Sequence, residues 1–322
     1  MRFTRFLILV LAWTALCRAQ AGDLRAPALG SLFDAGQRRL IPIQGIPGAA
    51  IFGDSTDLGV PIASAAIAAD GSIVLALCGD ERKLCLIRPK RGEIQPVSNA
   101  MDSPDWILFS PAGRAALLYR GDSNQLQVLT GLQEQPIARN IQLPVAPRSK
   151  QALAVSDDGA LVLLAGGDQS WLLAQDQPDI NLPIPISIRS VTFRANTHAG
   201  AVVGALGEIY VASDVASTDF RQLSSSSGDL SDPVAIRFAA SNQRLLVVTG
   251  KGTVGLIDTA GGSLQTTSCQ CAPIAMDPIS SGTLFLLTSD SSRTTYLAGE
   301  SDGSPRVWFV PAAVPVSDGS VQ

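Results

Sequence analysis

Residues 152–165 read ALAVSDDGALVLLA. Two short apolar runs, each too short to survive as an isolated helix, flank the polar turn Ser156-Asp157-Asp158-Gly159. An Asp-Gly pair accepts the positive φ of a tight turn between antiparallel strands, so the stretch predicts a hairpin. Its second arm, Leu161-Val162-Leu163-Leu164, is apolar at every position. Such a run suits a strand covered on both faces rather than one facing water on alternate residues.

The same layout recurs along the chain. Residues 65–77 (AAIAADGSIVLAL), 106–119 (WILFSPAGRAALLY), 190–205 (SVTFRANTHAGAVVGA), 235–248 (AIRFAASNQRLLVV) and the segment 274–287 each place a turn between two apolar strands. Gly71 and Gly282 enclose five intervals of about 42 residues each, and a period of ~40–45 residues is that of a β-propeller blade. Behind each pair come strands that alternate better, such as 83–87 (KLCLI) with 93–97 (EIQPV), and 125–129 (QLQVL) with 140–143 (NIQL). Outer strands are half exposed, so the gradient from continuous to alternating runs is what a four-stranded blade predicts. The reading is an all-β fold: one β-propeller of four-stranded antiparallel blades, six full repeats filling residues 62–314. Residues 213–233, with the serine run 224–227, read as an outer strand and an exposed loop of the fourth repeat.

Residues 22–61 read as an N-terminal hairpin and linker. Residues 30–34 and 39–43 look like the third and fourth strands of a further blade. Seven blades with an incomplete or composite closing blade is the preferred count, six with an appended hairpin the alternative. Residues 315–322 read as a disordered tail.

The first 21 residues carry Arg2 and Arg5, an apolar run at 6–16 (FLILVLAWTAL) and small residues at Ala19 and Ala21, the pattern of a secretory signal cleaved near Ala21/Gly22. The apolar run is too short for a membrane span, and Leu16 is bulkier than a lipidation box before Cys17 prefers. The expectation is a secreted or periplasmic, monomeric chain without a membrane span. Cleavage would remove Arg2, Arg5 and Arg18 and no carboxylate, taking the formal net charge from −4 to about −7. That acidity argues against nucleic acid as a partner.

The repeats resemble the secreted bacterial propellers of the YVTN and WD-repeat type, on their apolar strands and Ser-Asp-Asp-Gly or Ser-Pro-Ala-Gly turns. The segments 41–50, 269–273 and 305–312 are similar to those of uncharacterised exported acidobacterial propellers. The resemblance implies the fold and export. It brings no activity and no site residues, and the Gly-His and Trp-Asp pairs of true WD repeats are absent.

Candidate chemistry is sparse. His198, the one histidine of the chain, sits in a turn, so schemes that activate a nucleophile through histidine depend on it alone. No catalytic, cofactor-binding or metal-ligating residue is assigned, and no cofactor is expected. Cys78, Cys85, Cys269 and Cys271 are disulfide candidates in an exported chain: Cys78 and Cys85 facing each other across a hairpin, Cys269 with Cys271 only if the backbone bends. Asp70, Asp157, Asp158, Asp277 and Asp290 recur at turns, where they form turns or, gathered round an axis, would bind calcium or act as acid and base. The basic patch Lys83 and 88–91 reads as a solvated edge. Trp106 and Trp171 fall on strands and are expected to pack between blades. The leading functional reading is a binding or scaffold module for a protein, peptide or carbohydrate partner. The alternative is a metal-dependent hydrolase or lactonase with carboxylates at the channel mouth.

Overall fold

The computed structural model describes residues 27–224, 228–280, 283–288 and 293–312. The proposed signal, the tail at 315–322 and Asp290 lie outside them. Within the described residues the strands form seven antiparallel sheets, each contiguous in sequence. They are blade 1 (28–52), blade 2 (62–96), blade 3 (106–142), blade 4 (153–181), blade 5 (188–224), blade 6 (233–268) and blade 7 (277–310). Blades 2 to 7 have four strands each and blade 1 has three, and the whole is a seven-bladed β-propeller.

The apolar runs explain the ring. The second strands Val74–Cys78, Leu161–Gly166 and Gly200–Gly204 are buried at every position, since a neighbouring blade covers each face. The buried apolar residues separate into seven clusters, one for each contact between adjacent blades. Trp106 and Trp171 join the cluster between blades 3 and 4, where Trp106 lies 4.7 Å from the Tyr119 ring.

The seam between the ends of the chain is built the same way. Ile41 and Ile43 of blade 1 pack on Leu284, Leu286 and Leu297 of blade 7, without exchange of a strand among the described residues. This corrects the placement of the N-terminal hairpin. Ala28–Asp34 lies beside the first strands of blades 2 and 7, so it is the innermost strand of blade 1 and not its third. Arg39–Ile46 is the second strand and Ala49–Phe52 the third. Among the described residues blade 1 has no outer strand.

Candidate functional site

The seven first strands surround a cavity of about 600 Å³ on the ring axis. Their pairing with the second strands sets which residue of each blade stands at which height. At the last-but-one pair before the turn stand Ala66, Leu108, Ala154 and Thr192, all in the cavity wall. Blade 6 has Arg237 there, opposite Leu246. A register shift between Pro233 and Ala235 brings the strand to this position, and the Ile236 N–H donates to Ser190 Oγ of blade 5 at 3.2 Å.

Arg237 is enclosed by protein but half-buried by accessible surface, because it borders the channel. Burial pulls its guanidinium below its usual value, while the nearby Asp277 carboxylate acts in the opposite sense. A guanidinium stays protonated in proteins, so the wall carries a permanent positive charge. Its Nη1 donates to the Ile236 carbonyl at 2.8 Å, and it forms no ion pair among the described residues.

Asp277 was expected in a turn but opens the first strand of blade 7. Its Oδ1 accepts from Lys150 Nζ at 3.4 Å. Lys150 belongs to the short 3₁₀ turn before blade 4, so the pair joins blades that lie across the ring from each other. The first-to-second-strand turns form one mouth of the channel, lined by small or neutral residues such as Ala35, Ala112, Ala195, Asn196 and Ala240, with Asp70 among them.

Other carboxylates are committed to structure. Asp157 Oδ1 accepts the Ala112 N–H of blade 3 and Oδ2 accepts the Asn196 N–H of blade 5, both at 2.7 Å. One blade-4 side chain thus ties the turns on its two sides. Asp158 accepts from Ser156 Oγ at 2.6 Å and pairs with His198 Nε2 at 2.8 Å. Burial alone would raise the Asp158 carboxyl, but bonds from Ser156, the Ala160 amide and His198 outweigh it and hold it below the usual 3.8. The serine bonds to the carboxylate and not to the imidazole, so the three do not stand in the order that activates a serine nucleophile. Among the described residues no three histidine, cysteine or acidic side chains gather as a metal cluster.

The cysteines divide into two kinds. Cys269 and Cys271 are joined, with their Cα atoms 5.1 Å apart, closer than an extended strand would hold positions i and i+2. The backbone bends where the outer strand Leu264–Ser268 has ended. Cys78 and Cys85 are free thiols buried between blades 1 and 2. They do not stand opposite each other as the spacing suggested: Cys78 pairs with Lys83 and Cys85 with Ala76, which makes them diagonal neighbours. Burial, and then the hydrogen bond to Cys85 and its proximity, push the Cys78 thiol up to about 12.

Nothing in the candidate chemistry had singled out Arg237. Its one sequence signal is a lone arginine within the apolar strand 235–238 (AIRF), which alternation alone assigns to a solvent face.

No protein-family model matches the chain, and no curated protein matches it. Solved structures do. A functionally unknown protein from Desulfotomaculum acetoxidans is 15% identical with a TM-score of 0.57, over 88% of this chain and 99% of that one. Hsv2 from Kluyveromyces marxianus is 12% identical with a TM-score of 0.54, over 90% of this chain and 100% of that one. Hydrazine synthase from Kuenenia stuttgartiensis is 14% identical with a TM-score of 0.50, over 73% and 75%. Similarity at this level of identity establishes the fold that the seven sheets display, a β-propeller, and goes no further.

Proposed function

We propose that this protein is an exported binding module that engages a protein, peptide or carbohydrate partner at the channel mouth formed by the first-to-second-strand turns. The observation that carries the reading is the cavity of about 600 Å³ opening between alanine- and asparagine-bearing turns. Its size is within the ~300–1,000 Å³ of ligand sites, and small side chains at the mouth leave room for a group to enter. Seven rigid blades would hold those turns in place while their sequences vary, which is how loops on a scaffold acquire binding roles.

The test is capture from a native envelope extract by the full chain and by an Ala240→Glu variant, which puts a longer charged side chain at an exposed position of the mouth. A partner retained by the wild type and lost from the variant is the expected result. Equal capture by both would remove the mouth from the reading. Export has its own measurement: mass spectrometry of the native protein is expected to find a start at Gly22 and no acyl chain, and a start at Cys17 would replace cleavage after Ala21 with lipidation.

A further inference from the structure

We propose that Arg237 is the anchor for a singly charged carboxylate bound inside the axial channel, an inference that rests on the channel being a binding site and names the ligand chemistry.

A guanidinium has five N–H donors in a planar fork, and one bond, from Nη1 to the Ile236 carbonyl, is made within the protein. The remaining donors border the cavity at a height where the neighbouring blades 5 and 7 present Thr192 and Pro278. A cation so enclosed is costly to keep without a partner, and an uncharged side chain would fill the position as Ala66, Leu108, Ala154 and Thr192 do in other blades. An arginine retained there has a planar donor face matched to a two-oxygen anion.

Charge balance selects a monoanion. Asp70 stands exposed at the mouth, where it accepts from Ser72, and Lys150 is held on Asp277 across the ring, so inside the channel Lys150, Asp277 and Arg237 together carry one net positive charge. A carboxylate neutralises that charge and accepts two parallel N–H bonds. A phosphate dianion would exceed it and would meet the Asp277 carboxylate. Around the polar group the wall is apolar, with Ile67, Ile107, Ile279 and Phe109 among its residues. The ligand is therefore a carboxylate with an apolar body.

Two sources carry that chemistry, a free organic acid and the C-terminal carboxylate of a peptide, and the experiment separates them. Isothermal titration of the full chain uses benzoate against benzamide, and acetyl-Ala-Ala against its C-terminal amide. At least one acid is expected to bind at least tenfold more tightly than its uncharged amide, and the acid that does identifies the source. Arg237→Gln is expected to weaken that acid at least tenfold, with Arg237→Lys recovering part of the loss. The acid–amide comparison is made on the wild type, so it stands even if a substitution at this position unfolds the chain.

Equal binding of acid and amide, unchanged binding by a folded Arg237→Gln variant, or no binding of either acid at millimolar concentration overturns the assignment of Arg237. None of these outcomes touches the capture experiment with Ala240→Glu, so failure of the carboxylate site and failure of the mouth as a binding face are read separately.

Discussion

Asp157 serves three blades with one carboxylate, and its replacement is the most informative single change on the rim. Asparagine has the same shape but turns one acceptor oxygen into a donor, which would face the N–H of Ala112 or Asn196. Leaving a half-buried amide unpaired beside a lost charged bond is expected to cost about 2–3 kcal/mol, measurable as a lower urea midpoint with an unchanged slope. The neighbouring Asp158 is more exposed and contributes through its titration. Its carboxyl is held below 3.8 in the folded state, so its stabilising contribution is present above the unfolded value and is lost as pH falls through the folded one. The stability difference between wild type and Asp158→Asn is expected to stay below about 1 kcal/mol at pH 7 and to diminish only once the pH falls below 3.8. A difference that persists into acid would mean the side chain acts through packing. Among the cysteines, non-reducing peptide mapping is expected to find Cys269 bridged to Cys271 within one peptide. The thiols of Cys78 and Cys85 are expected to resist alkylation at pH 7 until the chain is unfolded.

Strands were legible in the sequence where burial makes a run continuous. Leu161-Val162-Leu163-Leu164 and its counterparts have a blade on each face, so hydrophobicity alone marks them, and the ~42-residue spacing follows. The N-terminal hairpin was misplaced because neither arm is a continuous apolar run: Gly30, Ser31 and Asp34 interrupt the first, Arg39 and Pro42 the second. What makes Ala28–Asp34 an inner strand is a contact far away in sequence: a Cβ on Gly30 would meet the Ile279 carbonyl oxygen of blade 7, and its carbon at 2.8 Å. Glycine is what permits that backbone approach. Gly30→Ala must therefore displace the first strand of blade 1 from blade 7, at an expected cost of about 2 kcal/mol or more. Calorimetry checks this, and an unchanged Tm would show that the strand shifts freely. Arg237 was hidden for a related reason, because a channel position depends on register across blades and not on the pattern within one. The diagonal offset of Cys78 and Cys85 likewise comes from a hairpin with Lys83, not Cys85, opposite Cys78, which spacing alone does not specify.

At the scale of the ring, the question is whether the seam between blades 7 and 1 is a weak point. Sharing a strand within one sheet is one way to bind the ends of a closed chain; among the described residues here each blade is contiguous in sequence, and closure rests on apolar packing. An open array of repeats frays from its ends because terminal repeats have one neighbour, whereas in this ring blade 1 and blade 7 each have two. The seam cluster is comparable in kind to the others: Ile43 and Leu297 are fully buried there, as Leu163 is between blades 4 and 5. Ile43→Ala and Leu163→Ala are thus expected to destabilise by similar amounts, about 2–5 kcal/mol, each with one cooperative transition. Trp308 packs at the seam while Trp106 and Trp171 pack between blades 3 and 4, so tryptophan fluorescence reports those two contacts and far-UV circular dichroism the strands of the whole ring. Coincident unfolding curves in Ile43→Ala would show that packing alone closes the circle. A fluorescence change preceding the loss of strand signal in Ile43→Ala but not in Leu163→Ala would show that the ring opens at its ends first.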